Sequence, residues 1–385
     1  MKISSEFDGG RIDVVACDQA DDIRVNIDKD SHADFRQWFY FRLHGVKDKD
    51  CVVKFMNAAD CSYKEGWEDY DVCASTDRQE WFRLPTDFDG KVMSVEFNTD
   101  TDDIYLAYFA PYSFDRHLNL LAFAQHSPLT EVINLGETVD DRDFDMLKIE
   151  QPDSDDDKLN VWLTARQHPG ETMAEWFMEG FIESLLDADN ATSRALLQEC
   201  RFFIVPNMNP DGAYRGNLRT NAAGANLNRE WQEPTMEKSP EVYLVRQKML
   251  KEGVDMFLDV HGDEAIPYNF VAGCEGNPNY DERLKNLEEV FKSAYFTATP
   301  EFQDEHKYDL DEPGKADLRL ATNYVGQTFS CLAYTLEMPF KDNHDWPDEE
   351  YGWSPERCKK LGEDTLVAML NTVPAILANP KEKSS

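Results

Sequence analysis

The sequence predicts an α/β fold: a mixed, largely parallel sheet flanked by helices, preceded by an N-terminal antiparallel β-sandwich. Two patterns carry this. Up to about residue 112 the chain shows short runs rich in Val, Ile, Phe and Tyr and almost no helical periodicity. From about residue 159 strand-like and helix-like segments alternate, as they do where helical crossovers join parallel strands. A third observation concerns chemistry: three of the later strands end in His or Glu.

In the first part, residues 11–15, 23–27, 37–43, 51–56, 80–84, 91–97 and 104–109 read as strands. Turns such as Asp87-Phe-Asp-Gly90 and Asn98-Thr-Asp-Thr-Asp102 separate them. This spacing suits a sandwich or jelly-roll-like module over residues 1–112. His32 and His44 stand alone in it and read as filler. Ala110-Pro-Tyr-Ser113 marks the boundary to a second domain, 113–380, and 381–385 form a polar tail.

The second domain opens with a helix at 114–125 and strands at 131–135 and 144–149. The acidic run 153–157 lacks the Gly and closing Glu of a calcium loop and reads as a solvated turn. A strand at 159–166 leads into a helix at 172–186, with Met173, Trp176, Phe177, Phe181 and Leu185 at helical spacing. Residues 201–206 form the next strand. Ser239 and Pro240 start a helix that Gly253 ends. A strand at 255–260 ends at His261-Gly-Asp263, a helix covers 280–295, and a strand at 332–338 ends in Glu337-Met-Pro-Phe340. Ser354-Pro355 opens a last helix with Leu361, Leu366, Leu370 and Val373 inward.

Composition narrows the function classes. The 385 residues include 75 acidic and 39 basic side chains, a net charge of -36. Such a surface repels phosphate backbones, and no basic stripe interrupts it, so nucleic-acid binding is not expected. No run of 18 apolar residues exists to span a membrane, and the first ten residues lack the apolar core of a signal peptide. The eight cysteines, without CxxC spacing, read as reduced thiols of a cytoplasmic protein.

His168 and Glu171 flank Pro169 and Gly170, which break any continuous helix. The pair therefore sits on a turn at a strand's C-terminal end, where ligand crevices open in α/β folds. An imidazole and a carboxylate there suit two ligands of a zinc ion with an open position. Alone, the motif reads equally well as a capped turn, and His261 as a strand-end histidine. Adding His261 and Glu337 completes a His₂Glu set with a separate carboxylate. The metal lowers the pKa of its water, and Glu337 is the candidate to take the proton. The aperiodic segment 205–231 holds Arg215, Arg219 and Arg229 in an otherwise acidic chain. Such arginines suggest a bound anion, and their fork geometry matches a carboxylate.

His168-Pro-Gly-Glu171, Asn209-Pro-Asp-Gly212, Gly216-Asn-Leu-Arg219, Asn226-Leu-Asn-Arg229, His261-Gly262 and Thr335-Leu-Glu337 stand in the order and spacing of the zinc metallocarboxypeptidases. More narrowly, the chain resembles the cytosolic carboxypeptidase branch, whose members carry a β-sandwich before a carboxypeptidase-like catalytic domain. The resemblance covers essentially the whole chain. It implies one zinc ion per chain on His168, Glu171 and His261, with peptide or protein C-termini as substrate. It makes Glu337 the general base and then the acid that protonates the leaving amine. Arg219 polarises the scissile carbonyl and stabilises its oxyanion. Asn228 and Arg229 grip the terminal carboxylate, and Arg215 has no assigned role. A mobile tyrosine should close on the substrate; Tyr324 is the first choice and Tyr308 the second. Position 226 is Asn where relatives commonly have Asp, with a role behind the metal ligands. The floor of the specificity pocket falls near Thr322. Relatives that remove glutamate place a basic residue there; the nearest here is Arg319, which implies a preference for C-terminal Glu or Asp.

Two other readings compete. Aspartoacylase-like and desuccinylase-like zinc amidohydrolases act on N-acyl amino acids, but they carry their β-domain after the catalytic domain and this chain has it before. A non-catalytic binding pseudoenzyme would be expected to lose the base or a ligand, and this chain keeps both. No Gly-x-Ser-x-Gly elbow is present for a serine hydrolase.

Overall fold

Alternation of inward apolar and outward polar side chains folds residues 2–107 into two five-stranded sheets. One runs in the order Lys2–Ser4, Tyr40–His44, Asp103–Ala107, Val72–Ser75, Phe82–Leu84. The other runs Asp13–Ala16, Ile23–Asn26, Cys51–Phe55, Met93–Phe97, Thr86–Phe88. In Cys51–Phe55 every second residue is fully buried, and Phe55 meets Phe41 of the other sheet at 6.3 Å between ring centroids. Pairing is antiparallel throughout, except that Ile23–Asn26 lies parallel to Cys51–Phe55. The periodicity did not reveal Val72–Ser75, which is buried at every position and so carries no alternation. The computed structural model describes residues 1–152 and 157–381. Positions 153–156 of the acidic run and 382–385 of the tail lie outside them.

A seven-stranded sheet follows, in the order Thr130–Glu137, Asp143–Ile149, Cys200–Val205, Leu159–Ala165, Met256–Asp263, Leu332–Pro339, Phe270–Ala272. Its four central strands, Cys200–Val205 to Leu332–Pro339, are mutually parallel, and the flanking ones pair antiparallel. Successive residues feed opposite cores. Trp162, Phe203 and Phe257 pack on one face with Val242, Val245 and Met249 of the Pro240–Glu252 helix. Leu163, Ile204 and Leu258 join Phe177, Phe181 and Leu361 on the other.

Those last residues belong to the Met173–Leu186 and Pro355–Ala378 helices, which pack closely through glycines. A Cβ at Gly180 would lie 2.2 Å from the Lys359 carbonyl oxygen, and one at Gly362 2.3 Å from that of Phe177. Pro374 lies inside the final helix without ending it. The helices Ala191–Glu199, Pro210–Arg215 and Ala321–Phe329 were not foreseen. The last contains Thr, Asn and Gly, poor helix formers that tertiary contacts override. The Arg83 guanidinium ties the sandwich to the rest, donating to the Phe340 and Trp353 carbonyls at 2.8 and 3.1 Å. All eight cysteines are free thiols. No helix among the described residues is long and apolar enough to cross a membrane.

Gly362→Ala is expected to destabilise the protein by about 1–3 kcal/mol through overpacking of the two helices. A urea unfolding midpoint unchanged from wild type would contradict this.

Candidate metal centre and substrate cleft

The central parallel strands deliver their C-terminal ends to one edge of the sheet. Leu159–Ala165 ends at Arg166, which turns into the left-handed region at φ 57°. The buried Arg166 guanidinium then holds the turn, donating to the Pro169 and Tyr112 carbonyls at 2.8 and 3.0 Å and pairing with Glu175. A second motif braces the first. Asn209 Nδ2 donates to the Gln167 carbonyl at 2.9 Å. Gly212 sits so close that a Cβ there would be 2.5 Å from Pro169 Cγ. Gly212 thus answers to packing.

On this turn His168 and Glu171 meet His261 from Met256–Asp263. His168 Nδ1 lies 2.6 Å from Glu171 Oε1, and His261 Nδ1 lies 2.8 Å from Glu171 Oε2. All three residues are buried, and one donor atom from each lies within 4.8 Å of the others. The remaining ring nitrogens are held from behind: His168 Nε2 by Asn226 Oδ1 at 3.0 Å, His261 Nε2 by Asp259 Oδ2 at 2.8 Å. Such outer contacts orient ligating imidazoles. Burial and Arg219 push His168 down to about 4. Burial also opposes charge on His261, but Asp259 and Glu171 outweigh it and hold the imidazolium well above its usual range. Glu171 keeps its charge against burial because both imidazoles face it. Two imidazole nitrogens with one carboxylate are a zinc donor set.

Glu337 stands directly beside His261 in the register of the adjacent parallel strand. Its Oε1 accepts from the Tyr308 hydroxyl at 3.1 Å, while the buried Oε2 has no protein partner. Burial, reinforced by Glu171 and Asp263, raises its carboxyl well above the ordinary range, although His261 opposes the rise.

The cleft above these residues is lined by Arg219, Asn228, Arg229, Tyr308 and Thr322, and by Tyr63 and Glu65 of the sandwich. The Arg219 guanidinium lies over the rings of Phe35 and Tyr63, at 5.7 and 5.4 Å from their centroids. Its backbone is anchored by a buried acid from the sandwich. Leu218, Arg219 and Thr220 amides donate to the Asp30 carboxylate at 2.6, 3.0 and 2.8 Å, and the Thr220 hydroxyl adds a fourth bond at 2.8 Å. Asn228 Oδ1 accepts from the Ala321 amide at 2.8 Å, and Arg229 donates to the Asn228 carbonyl at 2.7 Å. Among the described residues neither Arg219 nor Arg229 makes an ion pair, and both line the cleft.

Two expected residues do not reach the cleft. Tyr324 lies on the far side of the Ala321–Phe329 helix, against Trp231 and beneath the Arg246 guanidinium at 4.9 Å. The helical advance from Thr322, which does line the cleft, turns it away. Tyr308, the second choice, does line the cleft. Arg319 is exposed and paired with Asp317 at 2.7 Å. Arg215 pairs with Asp140 at 2.6 Å, away from the cleft. Sequence reasoning missed Asp30 and the pocket acids Glu264 and Glu275; one acid among 75 carries no local mark of burial.

Residues 3–109 match the cytosolic carboxypeptidase N-terminal domain, and residues 119–366 match the zinc carboxypeptidase family. The solved metallo-carboxypeptidase of Burkholderia cenocepacia is 49% identical and superposes with a TM-score of 0.95, covering 97% of this chain and 99% of that one. The Pseudomonas aeruginosa metallo-carboxypeptidase, solved in complex with (2-guanidinoethylmercapto)succinic acid, is 44% identical with a TM-score of 0.95, covering 98% and 100%. Mouse cytosolic carboxypeptidase 6 is 29% identical over 80% of this chain, which spans 60% of that protein's length.

Asp30→Ala should leave four donors without their acceptor. At about 1–3 kcal/mol for each buried unsatisfied group, the urea midpoint is expected to fall markedly and exchange of the 218–220 amides to quicken. Zn²⁺ at a hundredfold excess over its Kd should stabilise the fold by about 2.7 kcal/mol. The shift should vanish in a His168→Ala/His261→Ala double variant, as read by thermal denaturation.

Proposed function

Because this chain belongs to the zinc carboxypeptidase family, we propose that it removes the last residue of peptides or proteins, with His168, Glu171 and His261 holding one zinc ion. The observation that carries the reading is the convergence of two imidazole Nδ1 atoms on the Glu171 carboxylate, with Glu337 in register beside His261. Zinc bound there supplies Lewis acidity toward water and the scissile carbonyl.

The chain's own groups do the rest. Glu337 takes a proton from the attacking water as the new C–O bond forms. It returns that proton to the nitrogen as the C–N bond breaks, so a free amino acid leaves. Arg219, pinned through Asp30, faces the carbonyl oxygen and stabilises the negative charge it gains. Asn228 and Arg229 bind the terminal carboxylate, which limits cleavage to the last bond. Tyr308, whose hydroxyl now rests on Glu337 and Asp263, takes the substrate-closing role. On this reading residues 113–380 are the catalytic domain. Residues 1–112 narrow its mouth with Tyr63 and Glu65 and thereby restrict which chain ends enter. A cytoplasmic location accords with the cytosolic relatives.

The expected preference for C-terminal Glu or Asp was motivated by Arg319 and by the resemblance to the cytosolic branch; Arg319 is paired with Asp317 in solvent and does not supply it. The compound held by the Pseudomonas aeruginosa relative joins a dicarboxylic acid to a guanidino group. Its acid end suits the grip assigned here to Asn228 and Arg229.

The test is mass spectrometry of a peptide set incubated with zinc-loaded protein, with and without chelator. Single C-terminal residues should be lost only without chelator, and C-terminally amidated controls should stay intact. Glu337→Gln should cut turnover by about 10²–10⁴-fold while metal analysis still finds zinc; loss of zinc would make Glu337 a ligand instead. Arg219→Ala should lower kcat by about 10²–10³-fold, with Glu337 and the metal untouched.

A further inference from the structure

Two tyrosines line the cleft, and their hydroxyls differ. That of Tyr308 is engaged by Asp263 and Glu337, at 2.6 and 3.1 Å. That of Tyr63 makes no hydrogen bond among the described residues. The Tyr63 backbone, by contrast, is held at two points. The buried Gln37 side chain accepts from its amide at 3.1 Å and donates to its carbonyl at 2.9 Å, as a neighbouring strand would. The short 3₁₀ helix Lys64–Trp67 follows, and the Trp67 indole anchors it by donating to the Ala58 carbonyl at 3.0 Å. This segment presses on the catalytic domain at Gly66, where a Cβ would lie 2.7 Å from the Glu264 carbonyl oxygen.

The ring so fixed stands beside the reacting centre. The Arg219 guanidinium lies over it, 5.4 Å from its centroid. Burial raises the Tyr63 hydroxyl well above the ordinary phenol range; Arg219 and Arg229 oppose the rise, and Glu264 and Glu171 reinforce it. The group therefore stays an O–H donor at neutral pH. The charges that act on it include one of the proposed metal ligands and both arginines assigned to the substrate. A neutral donor with a restrained backbone and no protein acceptor, beside the guanidinium that meets the scissile carbonyl, suits that same oxygen. The terminal carboxylate has Asn228 and Arg229 assigned to it instead.

We propose that Tyr63, supplied by the N-terminal sandwich, is a further catalytic residue: its hydroxyl donates to the scissile carbonyl oxygen alongside Arg219, in a hydrogen bond that strengthens as the oxygen gains negative charge. The phenol keeps its proton throughout, and Glu337 carries the one that moves from water to the leaving nitrogen. This rests on the carboxypeptidase reading above and makes the sandwich part of the reacting centre.

The test is steady-state kinetics of the zinc-loaded full chain and its Tyr63→Phe variant on a peptide that wild type cuts. The substitution keeps the ring beneath Arg219 and breaks no hydrogen bond within the protein, so zinc content and urea midpoint should match wild type. kcat should fall by about 10²-fold with KM within about twofold, because the lost donor acts only as the oxygen becomes charged. A phosphonate peptide, whose tetrahedral oxygens mimic that charged state, should bind about 10²-fold more weakly to the variant. A fall in kcat of less than about tenfold, a rise in KM with kcat unchanged, or an unchanged phosphonate affinity overturns the proposal and leaves the carboxypeptidase reading in place. No cleavage of any peptide by wild type overturns both.

Discussion

The site depends on one costly arrangement, the Glu171 carboxylate buried between two imidazoles. A charge removed from water survives only where fixed partners meet it on every side. Those partners come from separate places. His168 shares its turn, His261 ends another strand, and Asp259 and Asn226 hold the far nitrogens of both rings. The parallel sheet makes this possible. It brings strand ends that are remote in sequence to one edge, about 4.8 Å apart between neighbours. The same spacing sets Glu337 beside His261.

The N-terminal sandwich builds part of the cleft as well as covering it. Asp30 ties down the backbone of residues 218–220, and Phe35 and Tyr63 form the surface on which the Arg219 guanidinium rests. A long, flexible arginine gains precision only when both its backbone and its plane are restrained. Arg83 fastens the same sandwich to the Phe340 and Trp353 carbonyls, just beyond the strand that carries Glu337. Removing the sandwich would therefore loosen two sides of the cleft together.

Charge is distributed with the same economy. In a chain of net charge -36, several arginines pair with a nearby acid, as Arg215 does with Asp140 and Arg319 with Asp317. Arg219 and Arg229 line the cleft and make no such pair among the described residues.

The sequence by itself determined what local patterns can carry. Alternation and helical spacing announced most strands and long helices, because an amphipathic element must show its buried face in its period. Order and spacing of six short motifs singled out His168, Glu171, His261, Glu337, Arg219, Asn228 and Arg229, which the fold then draws around one cleft. Tertiary structure decided the rest. Whether Tyr308 or Tyr324 meets the cleft depends on the phase of a helix whose sequence shows little helical preference. Arg319 lies two residues before that helix yet points to solvent, since Asp317 captures it. Asp30 acts 188 positions away in the chain. A charge's surroundings in space, and hence its role, are not written in its neighbours along the chain.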